Sequence, residues 1–171
     1  VADFKLVNQA GDIVTQNDLR AHYKVVDFFF TSCPSICPQV QQQMLRIHEN
    51  FADADQLLLV SFTLDPKRDT PERLAHYAQN LGFPETDQWQ FLTGDRRELF
   101  RLAEEYFNIV TLDDAAPGGI DHTGRIVLLD REGYIRAWTN GVNPNGVDTL
   151  MEDIRVLLNS DAPPDLWLGS R

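Results

Sequence analysis

The chain has 171 residues, a length that one compact domain accommodates, and its 43% hydrophobic and 24% charged residues argue against a disordered or fibrous chain. Its formal net charge of -11, from 15 Lys+Arg against 26 Asp+Glu, would repel a phosphate backbone, which argues against nucleic acid as a partner. The longest strongly apolar runs, Val25 to Phe30 and Leu57 to Phe62, are far shorter than the roughly 20 residues of a membrane span, so they predict core strands.

The first third of the chain predicts strands that alternate with a helix. Phe4–Val7 and Ile13–Thr15, separated by a Gly-Asp turn signal, predict a short hairpin ahead of the main fold. Lys24–Phe30 (KVVDFFF) is β-branched and aromatic with little alternation, which is typical of a central strand covered on both faces. Apolar residues spaced four, three and four apart predict a helix over Pro38–Phe51, and Gln56–Phe62 predicts a second buried strand.

The middle of the chain continues this alternation. The run Asp69–Glu72 (DTPE) combines a cap, a proline and an acid, which predicts that a helix starts here with Asp69 as its cap and ends near Gly82. Trp89–Leu92 predicts a short strand, and Asp95 predicts the cap of the next helix.

The last third begins with a segment, Asn108–Asp121, that shows no periodicity and predicts a long loop of the kind that often carries function. Arg125–Asp130 and Tyr134–Trp138 flank a glycine turn and predict an antiparallel hairpin. Gly146–Leu158 has a continuous apolar face and predicts a final helix, and residues 160–171 predict an irregular tail.

These elements together predict the fold class. Strands that alternate with helices and end in a hairpin and a helix indicate an α/β fold with helices on both faces of the sheet. This arrangement suits a thioredoxin-like fold with an N-terminal β-hairpin extension. We expect a single domain over residues 1–171, in which residues 1–20 form the extension.

Both cysteines of the chain, Cys33 and Cys37, follow the predicted central strand. Pro34 and Pro38 lack an amide donor, so we expect the helix to begin near Pro38 and the thiols to lie at its N-terminus. The helix dipole favours thiolate there, so we expect a lowered thiol pKa. A structural staple is less favoured, because a bridge across so short a loop removes little chain entropy. The pair therefore predicts either metal binding or disulfide chemistry.

The metal that suits this pair depends on the other ligands in the chain. Two thiolates select copper(I), zinc or an iron-sulfur cluster. Structural zinc takes four protein ligands and clusters usually take four cysteines, so two cysteines with one imidazole favour copper. His48 and His76 lie inside predicted helices as surface or boundary residues, and His22 precedes the cysteine strand. His122 ends the long loop just before the predicted strand at Ile126–Leu129, from where a loop could carry it toward the cysteines.

Three spaced motifs give the chain a family resemblance. In their order and separation they resemble the Sco (SenC/PrrC) family, the copper chaperones for cytochrome c oxidase assembly. The resemblance covers essentially the whole chain from Phe4 to about Leu158, and three motifs are far more specific than a lone C-x-x-x-C. The motifs are Thr31–Pro38 (TSCPSICP), Asp65–Glu72 (DPKRDTPE) and Asp121–Gly124 (DHTG).

The resemblance implies a ligand set. Cys33, Cys37 and His122 are expected to bind one copper ion, Cu(I) or Cu(II), and the cysteines are expected to form a redox pair. Asp65 and Asp121 also belong to the family pattern. Either could orient the imidazole or add a weak ligand to divalent copper. A turn former before a proline and a loop acid explain these two residues equally well.

The resemblance also implies a function and a location. The protein would be a metallochaperone, not an enzyme, that hands copper to the dinuclear copper centre of the copper-bearing subunit of cytochrome c oxidase. A thioredoxin-like reductant would keep its cysteines reduced. Family relatives act outside the cytoplasmic membrane, so we expect a periplasmic or exported location. The family's usual membrane anchor is absent from this chain, so we expect it in the full-length protein. Ser32 stands where many members carry histidine.

Two other functions compete with this interpretation. A thiol-disulfide oxidoreductase would use one cysteine to attack a substrate disulfide and the other to resolve it. Thioredoxin-type catalysts use a two-residue spacer and need no equivalent of His122, which counts against this function. A thiol peroxidase is less favoured still, because no extended Thr-Cys peroxide-binding pattern with an arginine partner is found.

Overall fold

The computed structural model describes residues 3–84, 86–106, 110–112 and 120–159. Within these ranges the chain forms nine strands and five helices in an α/β order. The strands are β1 (Lys5–Asn8), β2 (Ile13–Thr15), β3 (Tyr23–Phe29), β4 (Leu57–Thr63), β5 (Trp89–Thr93), β6 (Val110–Leu112), β7 (Ile120–His122), β8 (Arg125–Leu129) and β9 (Ile135–Asn140). The helices are α1 (Gln16–Leu19), α2 (Ile36–Asn50), α3 (Pro71–Asn80), α4 (Arg96–Glu105) and α5 (Pro144–Asn159).

Seven strands form one mixed sheet in the order β2-β1-β5-β4-β3-β8-β9. The three central strands β3, β4 and β5 are parallel, and β1 and β8 join them in antiparallel orientation. Strands β6 and β7 form a separate antiparallel pair. Because the central strands are parallel, their carboxyl ends meet at one edge of the sheet, where ligands of α/β folds commonly bind.

The central strand β3 is buried on both faces, as its apolar sequence predicts. Successive side chains point to opposite faces. Phe28 stacks on Phe62 of β4 and lies against Tyr106, which ends α4. Phe29 points the other way and stacks on Tyr77 of α3. Helices therefore cover both faces of the sheet, as predicted.

Most predicted elements are confirmed with shifts of one or two residues at their ends. The N-terminal hairpin is formed by β1 and β2, and β1 adds it to the edge of the sheet beside β5. Asp95 caps α4 by accepting a hydrogen bond from the backbone N–H of Glu98. The turn between β8 and β9 has Gly133 at a φ of 89°, which suits glycine.

Two element predictions were wrong in part. Helix α2 begins at Ile36 and not at Pro38, because a proline is tolerated throughout the first turn, where N–H groups have no partner within the helix. The segment predicted as a loop, Asn108–Asp121, contains β6 and most of β7. These strands have three residues each, too few for a periodic pattern to show. Residues 108, 109 and 113–119 of this segment lie outside the described residues.

The cap of α3 was also assigned to the wrong residue. Thr70 is the cap, and its hydroxyl accepts a hydrogen bond from the backbone N–H of Arg73. Asp69 is instead fully buried. A DTPE run offers two adjacent side chains that can cap, so local sequence alone does not separate them.

The domain division stays a prediction, and the tail at 160–171 lies outside the described residues. Within the described ranges, no helix combines the length and the hydropathy that a membrane crossing requires.

Candidate metal centre

The cysteines lie where β3 passes into α2. The chain turns sharply after the strand, since the backbone N–H of Cys33 donates to the carbonyl of Phe30 at 3.1 Å. Ser35 is the residue before the helix, and its hydroxyl is 3.7 Å from Cys33 Sγ. Cys37 is the second residue of α2. The predicted position at a helix N-terminus is therefore confirmed for Cys37.

The two thiols are buried and touch each other. Cys33 is 8% exposed and Cys37 is 1% exposed, and neither forms a disulfide in this structure. A hydrogen bond with Cys33, together with burial, raises the pKa of the Cys37 thiol far above its ordinary value. The expected lowering of the thiol pKa is therefore wrong for Cys37. The helix N-terminus is outweighed by the neighbouring sulfur and by the loss of solvent.

A buried carboxylate holds the start of the cysteine loop. Asp69 accepts hydrogen bonds from the backbone N–H of Thr31 at 3.1 Å and from the hydroxyls of Thr31 and Thr63. Arg73 Nε donates to the Thr31 hydroxyl at 2.7 Å and lies 3.6 Å from Asp69 Oδ1. Asp69 therefore links α3 and β4 to a residue two positions before Cys33. It positions the cysteine loop, a role that its place in a capping motif did not indicate.

A second buried carboxylate, Asp27, lies in the interior beneath α2. It accepts hydrogen bonds from Gln41 Nε2 and from the Ser61 hydroxyl, which in turn accepts from Trp89 Nε1 at 3.0 Å. Burial raises the pKa of Asp27 to about 7. Gln41 is one helical turn after Cys37, so this network ties the cysteine helix to three strands. The signal for it was a lone acid inside the apolar run of β3.

A third polar group near the thiols is the phenol of Tyr77 on α3. Its ring stacks on Phe29 with centroids 5.4 Å apart. Burial, and then the charge at Cys37, raise the pKa of the Tyr77 hydroxyl, so that it stays protonated. No sequence signal pointed to Tyr77, because its packing on Phe29 depends on how α3 lies against the sheet, which periodicity does not show.

His122 ends β7 and pairs with Val110 of β6. Its side chain lies outside the described atoms, so its position is given by the backbone. Two residues later, Gly124 has a φ of 61° and packs so closely on α2 that a Cβ there would lie 3.0 Å from Ile36 Cδ1. Gly141 holds this turn by donating its N–H to the Gly124 carbonyl at 2.9 Å. Gly124, two residues after His122, therefore lies against the first turn of α2 at Ile36, the residue before Cys37.

The other three histidines lie elsewhere. His22 precedes β3, whose seven residues separate it from the cysteine loop by about 23 Å. His48 is eleven residues after Cys37 on the same helix, which corresponds to about 16 Å, and it stacks on Trp89. His76 is exposed on α3. His22 and His48 are therefore too far from the cysteines to share a metal ion with them.

The remaining residues of the family motifs have more ordinary positions. Asp65 forms a turn, since its carbonyl accepts from the N–H of Arg68 and of Asp69, and its carboxylate is 3.4 Å from Arg68 Nη1. The side chain of Asp121 is not among the described atoms. Ser32 Oγ is buried and has no hydrogen-bond partner within the described ranges. Among side chains that are described, no three His, Cys, Asp or Glu residues converge on a metal site.

Comparison with known proteins identifies the family. A family model described as SCO1/SenC matches residues 1–159. The chain belongs to the SCO1/SenC family. The resemblance predicted from the three motifs is thereby confirmed. A curated relative, an SCO2-like protein of Rickettsia typhi, is 34% identical over 142 residues, which are 78% of this chain and 66% of the relative. The chain thus spans about two thirds of the length of that relative.

Solved structures of SCO1/SenC proteins share the fold. A SCO1/SenC family lipoprotein of Bacillus anthracis superposes with a TM-score of 0.82 and 25% identity, over 92% of this chain and 94% of that one. BsSco, described as a member of the Sco family of cytochrome c oxidase assembly proteins with a disulfide switch, gives a TM-score of 0.78 and 28% identity over 93% of each chain. ScoI of Bradyrhizobium japonicum, solved with copper bound, gives 0.69 and 25% identity over 91% and 98%. The predicted thioredoxin-like fold is confirmed.

Proposed function

We propose that this SCO1/SenC protein is a copper metallochaperone that binds one copper ion through Cys33, Cys37 and His122. The packing of Gly124 against Ile36 carries this proposal, because Ile36 directly precedes Cys37 in α2. Two residues of chain span at most about 7 Å, so the backbone of His122 lies within that distance of Gly124. We expect the imidazole of His122 to reach the thiols from this position.

The donor set suits copper. Cys33 and Cys37 are in hydrogen-bond contact, so one ion can reach both sulfur atoms without a large movement of the loop. Thiolates and an imidazole are soft to intermediate ligands that favour copper(I). ScoI of Bradyrhizobium japonicum was solved with copper bound, which supports copper as the cargo of this chain as well.

Copper loading requires the thiols to lose their protons. The raised pKa of Cys37 keeps this thiol protonated in the metal-free protein, so the metal must displace a proton to bind. The polar groups around the loop, Asp69 above all, hold Thr31 and hence the cysteine turn in place during this exchange. In this scheme the metal-free protein keeps the Cys37 thiol protonated until copper arrives.

The proposed acceptor is the dinuclear copper centre in the copper-bearing subunit of cytochrome c oxidase. The description of BsSco as an oxidase assembly protein supports this choice. The lipoprotein nature of the Bacillus anthracis relative supports an exported protein, periplasmic in a cell with two membranes and tethered in its full-length form. In this scheme a thioredoxin-like reductant returns the cysteines to the thiol state.

A second function, reduction of target disulfides, is favoured by the contact between the two thiols. Cys33 and Cys37 would lose two electrons and two protons and form a disulfide, while the target disulfide becomes two thiols. Cys33 is the more exposed of the two and would attack first. The protonated state of Cys37 slows its attack on a mixed disulfide, which makes this the secondary function.

A copper(I) titration of the reduced protein against a competing chelator tests the ligand set. We expect His122→Ala to weaken binding and to change the thiolate-to-copper absorption, while His76→Ala, an exposed histidine on α3, changes neither. Cys33→Ser and Cys37→Ser should each abolish tight binding. Unchanged affinity and absorption in His122→Ala would rule out the three-ligand site.

A transfer assay tests delivery separately. Copper-loaded protein is mixed with the metal-free soluble domain of the oxidase copper subunit, and the spectrum of the dinuclear centre is followed. We expect that spectrum to develop with wild type. If the protein binds copper with all three ligands but never loads the subunit, delivery is disproved and copper binding stands.

A further inference from the structure

A second polar site lies at the other end of β3, away from the cysteines. Lys24, the second residue of this strand, is separated from Phe29 by five residues, or about 17 Å. It lines a small cavity of about 40 Å³. By the usual requirement of roughly 10–15 Å³ for each water, this volume holds about three heavy atoms, the size of a carboxylate group, and the cavity is open to solvent, where the rest of a ligand can extend. Because about 17 Å separates Lys24 from the cysteine end of β3, the cavity is independent of the proposed copper site.

Lys24 is unusual because its amine is buried. The residue is 6% exposed, and its Nζ donates to the carbonyls of Leu19 and Arg131, each at 3.3 Å. Both distances are longer than the roughly 2.9–3.0 Å typical of such bonds. An ammonium has three N–H donors, and these two carbonyls take two of them. Leu19 and Arg131 also line the cavity, and no third acceptor for the amine is found among the described residues.

The charges around the cavity favour an anion. Arg20 is exposed at its rim. The guanidinium of Arg131 is turned away, over the ring of Tyr23 at 4.8 Å. One acid, Glu132, also lines the cavity. A second acid, Asp130, also acts on Lys24 but is paired with Arg136, so Lys24 and Arg20 outweigh Glu132 at the cavity, although the whole chain carries a net charge of -11.

Part of the lining is apolar. Phe4, Leu19 and Tyr106 line the cavity together with the charged residues, Gln16 and Gly133. Phe4 and Tyr106 both belong to the buried core. A phosphate or sulfate would have to lose water from all of its oxygens against these walls, which is costly. A carboxylate attached to a small apolar group presents charge on one side only.

We propose that this cavity binds a small carboxylate, free or at the C-terminus of a peptide, between the Lys24 ammonium and the Arg20 guanidinium. Each oxygen of the carboxylate accepts one charge-assisted hydrogen bond, and the apolar substituent contacts the ring of Phe4. The carbonyls of Leu19 and Arg131 accept from two of the three N–H groups of Lys24, and the third N–H donates to the ligand.

Lys24 itself reports on binding. Burial lowers the pKa of Lys24 to about 8, while the charges of Asp130 and Glu132 act in the opposite direction. The Asp130 carboxylate is already engaged by Arg136 Nε at 2.7 Å. A carboxylate bound beside the amine would stabilise the ammonium form, so it raises this pKa.

The chain has three lysines, Lys5, Lys24 and Lys67, so their side-chain signals can be followed individually by NMR after ¹³C-lysine labelling. The probe is sodium acetate, and the control is acetamide, which has the same shape and no charge. Sodium chloride keeps the ionic strength constant. At saturation we expect acetate to raise the Lys24 midpoint by about one pH unit, equivalent to tenfold tighter binding to the ammonium than to the amine. Acetamide should leave it unchanged.

Equal effects of acetate and acetamide on Lys24, or equal effects of acetate on all three lysines, would overturn the proposal. This contrast uses the wild-type protein and does not depend on a variant that folds. Arg20→Gln, at an exposed position, should weaken acetate binding about threefold. Lys24→Met should abolish it, while the matched exposed variant Lys5→Met should not. Retained acetate affinity in a folded Lys24→Met protein would also overturn the proposal.

The two sources of the carboxylate are separated with N-acetylglycylglycine and its C-terminal amide. Tighter binding of the free acid than of acetate, with no binding of the amide, assigns the site to a peptide C-terminus. Binding of acetate alone assigns it to a free small carboxylate. If neither acid displaces the Lys24 signals at any concentration below the point of general salt effects, the cavity is not an anion site.

Discussion

The carboxylate of Asp27 and the amide of Gln41 join the central strand to the cysteine helix in the interior of the protein. Gln41 Nε2 donates to Asp27 Oδ2 at 2.5 Å, and both residues are fully buried. The other amide atom, Gln41 Oε1, has no hydrogen-bond partner within the described part of the chain. Among the described residues, Gln41 and Ser61 are the side chains that donate to Asp27, and their two hydrogen bonds offset only part of the loss of solvent.

Stability should fall as Asp27 ionises. Its pKa is about 7 in the folded protein, against an ordinary value of 3.8 for an aspartate in the unfolded chain, so the folded protein binds the extra proton between these values. The contribution of protonated Asp27 to the free energy of unfolding is fully present below pH 3.8 and is lost as pH rises through 7. Asp27→Asn should remove this dependence. The free energy of unfolding of Asp27→Asn, taken relative to that of wild type, should increase by on the order of 4 kcal/mol from low to high pH.

Urea unfolding of both proteins across this pH range measures the difference. Asp27→Asn keeps the shape of the side chain, and a flip of the Gln41 amide would give the new Asn N–H an acceptor in Gln41 Oε1. The exposed Asp53→Asn serves as the control and should track wild type. Parallel curves for wild type and Asp27→Asn would show that the pKa of Asp27 is the same in the folded and the unfolded protein, which contradicts the raised value.

Asp69→Asn separates the positioning role of Asp69 from a capping role. Asparagine caps helices as well as aspartate does, so a cap would tolerate this change. In the observed network the Asp69 carboxylate accepts three hydrogen bonds. The NH₂ group of an asparagine at this position would face one of these donors. We expect a loss of about 2–3 kcal/mol in the free energy of unfolding. Asp65→Asn, which breaks only a pair with exposed Arg68, should cost less than about 1 kcal/mol.

The same variants should differ in copper binding. Because Asp69 holds Thr31 two residues before Cys33, we expect Asp69→Asn to weaken copper(I) binding, while Asp65→Asn leaves it close to wild type. Competition with a copper(I) chelator measures both. Full copper affinity in a destabilised Asp69→Asn protein would show that the network stabilises the fold without positioning the cysteines.

Gly124→Ala should disturb the proposed third ligand. A Cβ there meets Ile36 Cδ1 at 3.0 Å and Val40 Cγ2 at 3.3 Å, and the backbone has a φ of 61°. Gly82 has a similar φ of 70° with open space around it, so Gly82→Ala shares the backbone strain without the collision. We expect Gly82→Ala to cost about 1 kcal/mol in stability and to spare copper affinity.

For Gly124→Ala we expect a larger loss of stability, about 2–3 kcal/mol, and weaker copper binding, because the turn after His122 must move off α2. Ile36→Val in the same protein removes the nearer colliding atom and should restore part of both. Equal copper affinities for the two glycine variants would contradict the placement of His122 beside Cys37.

Copper affinity should rise with pH. The pKa of the Cys37 thiol is raised far above neutrality, so its proton must leave when copper binds. For each proton displaced, the apparent affinity increases about tenfold per pH unit below that pKa. Competition titrations at several pH values give the slope. Cys37→Ser should lower it by at least one proton, and a slope of zero in wild type would mean that copper binds to the intact thiol.

How far sequence reasoning extends is seen by comparing Cys37 with Asp27 and Asp69. The position of Cys37 at a helix start follows from local features, namely a buried strand and nearby prolines, and it is confirmed. Its pKa depends on Cys33 and on burial, which exist only after the chain has packed. Asp69 was misassigned for the same reason, since its partners Thr31 and Thr63 come from two other segments. Asp27 was detectable, because an acid within KVVDFFF requires buried partners.

The family motif at 121–124 illustrates a different limit. Its resemblance identified His122, but the reason for Gly124 became visible only through its contact with Ile36. A glycine that permits close approach leaves no periodic signal, and the three-residue strands β6 and β7 are too short to show one.

Within the described ranges, strands β6 and β7 pair only with each other and stand apart from the seven-stranded sheet. The proposed ligands therefore belong to two units that share no sheet hydrogen bond within these ranges: Cys33 and Cys37 lie in α2 and the loop before it, and His122 ends the ribbon of β6 and β7. A copper ion held by both would act as a removable crosslink between them. Its departure would break metal bonds alone and leave every backbone pairing of the central sheet intact, which suits a protein whose cargo must leave as readily as it arrives.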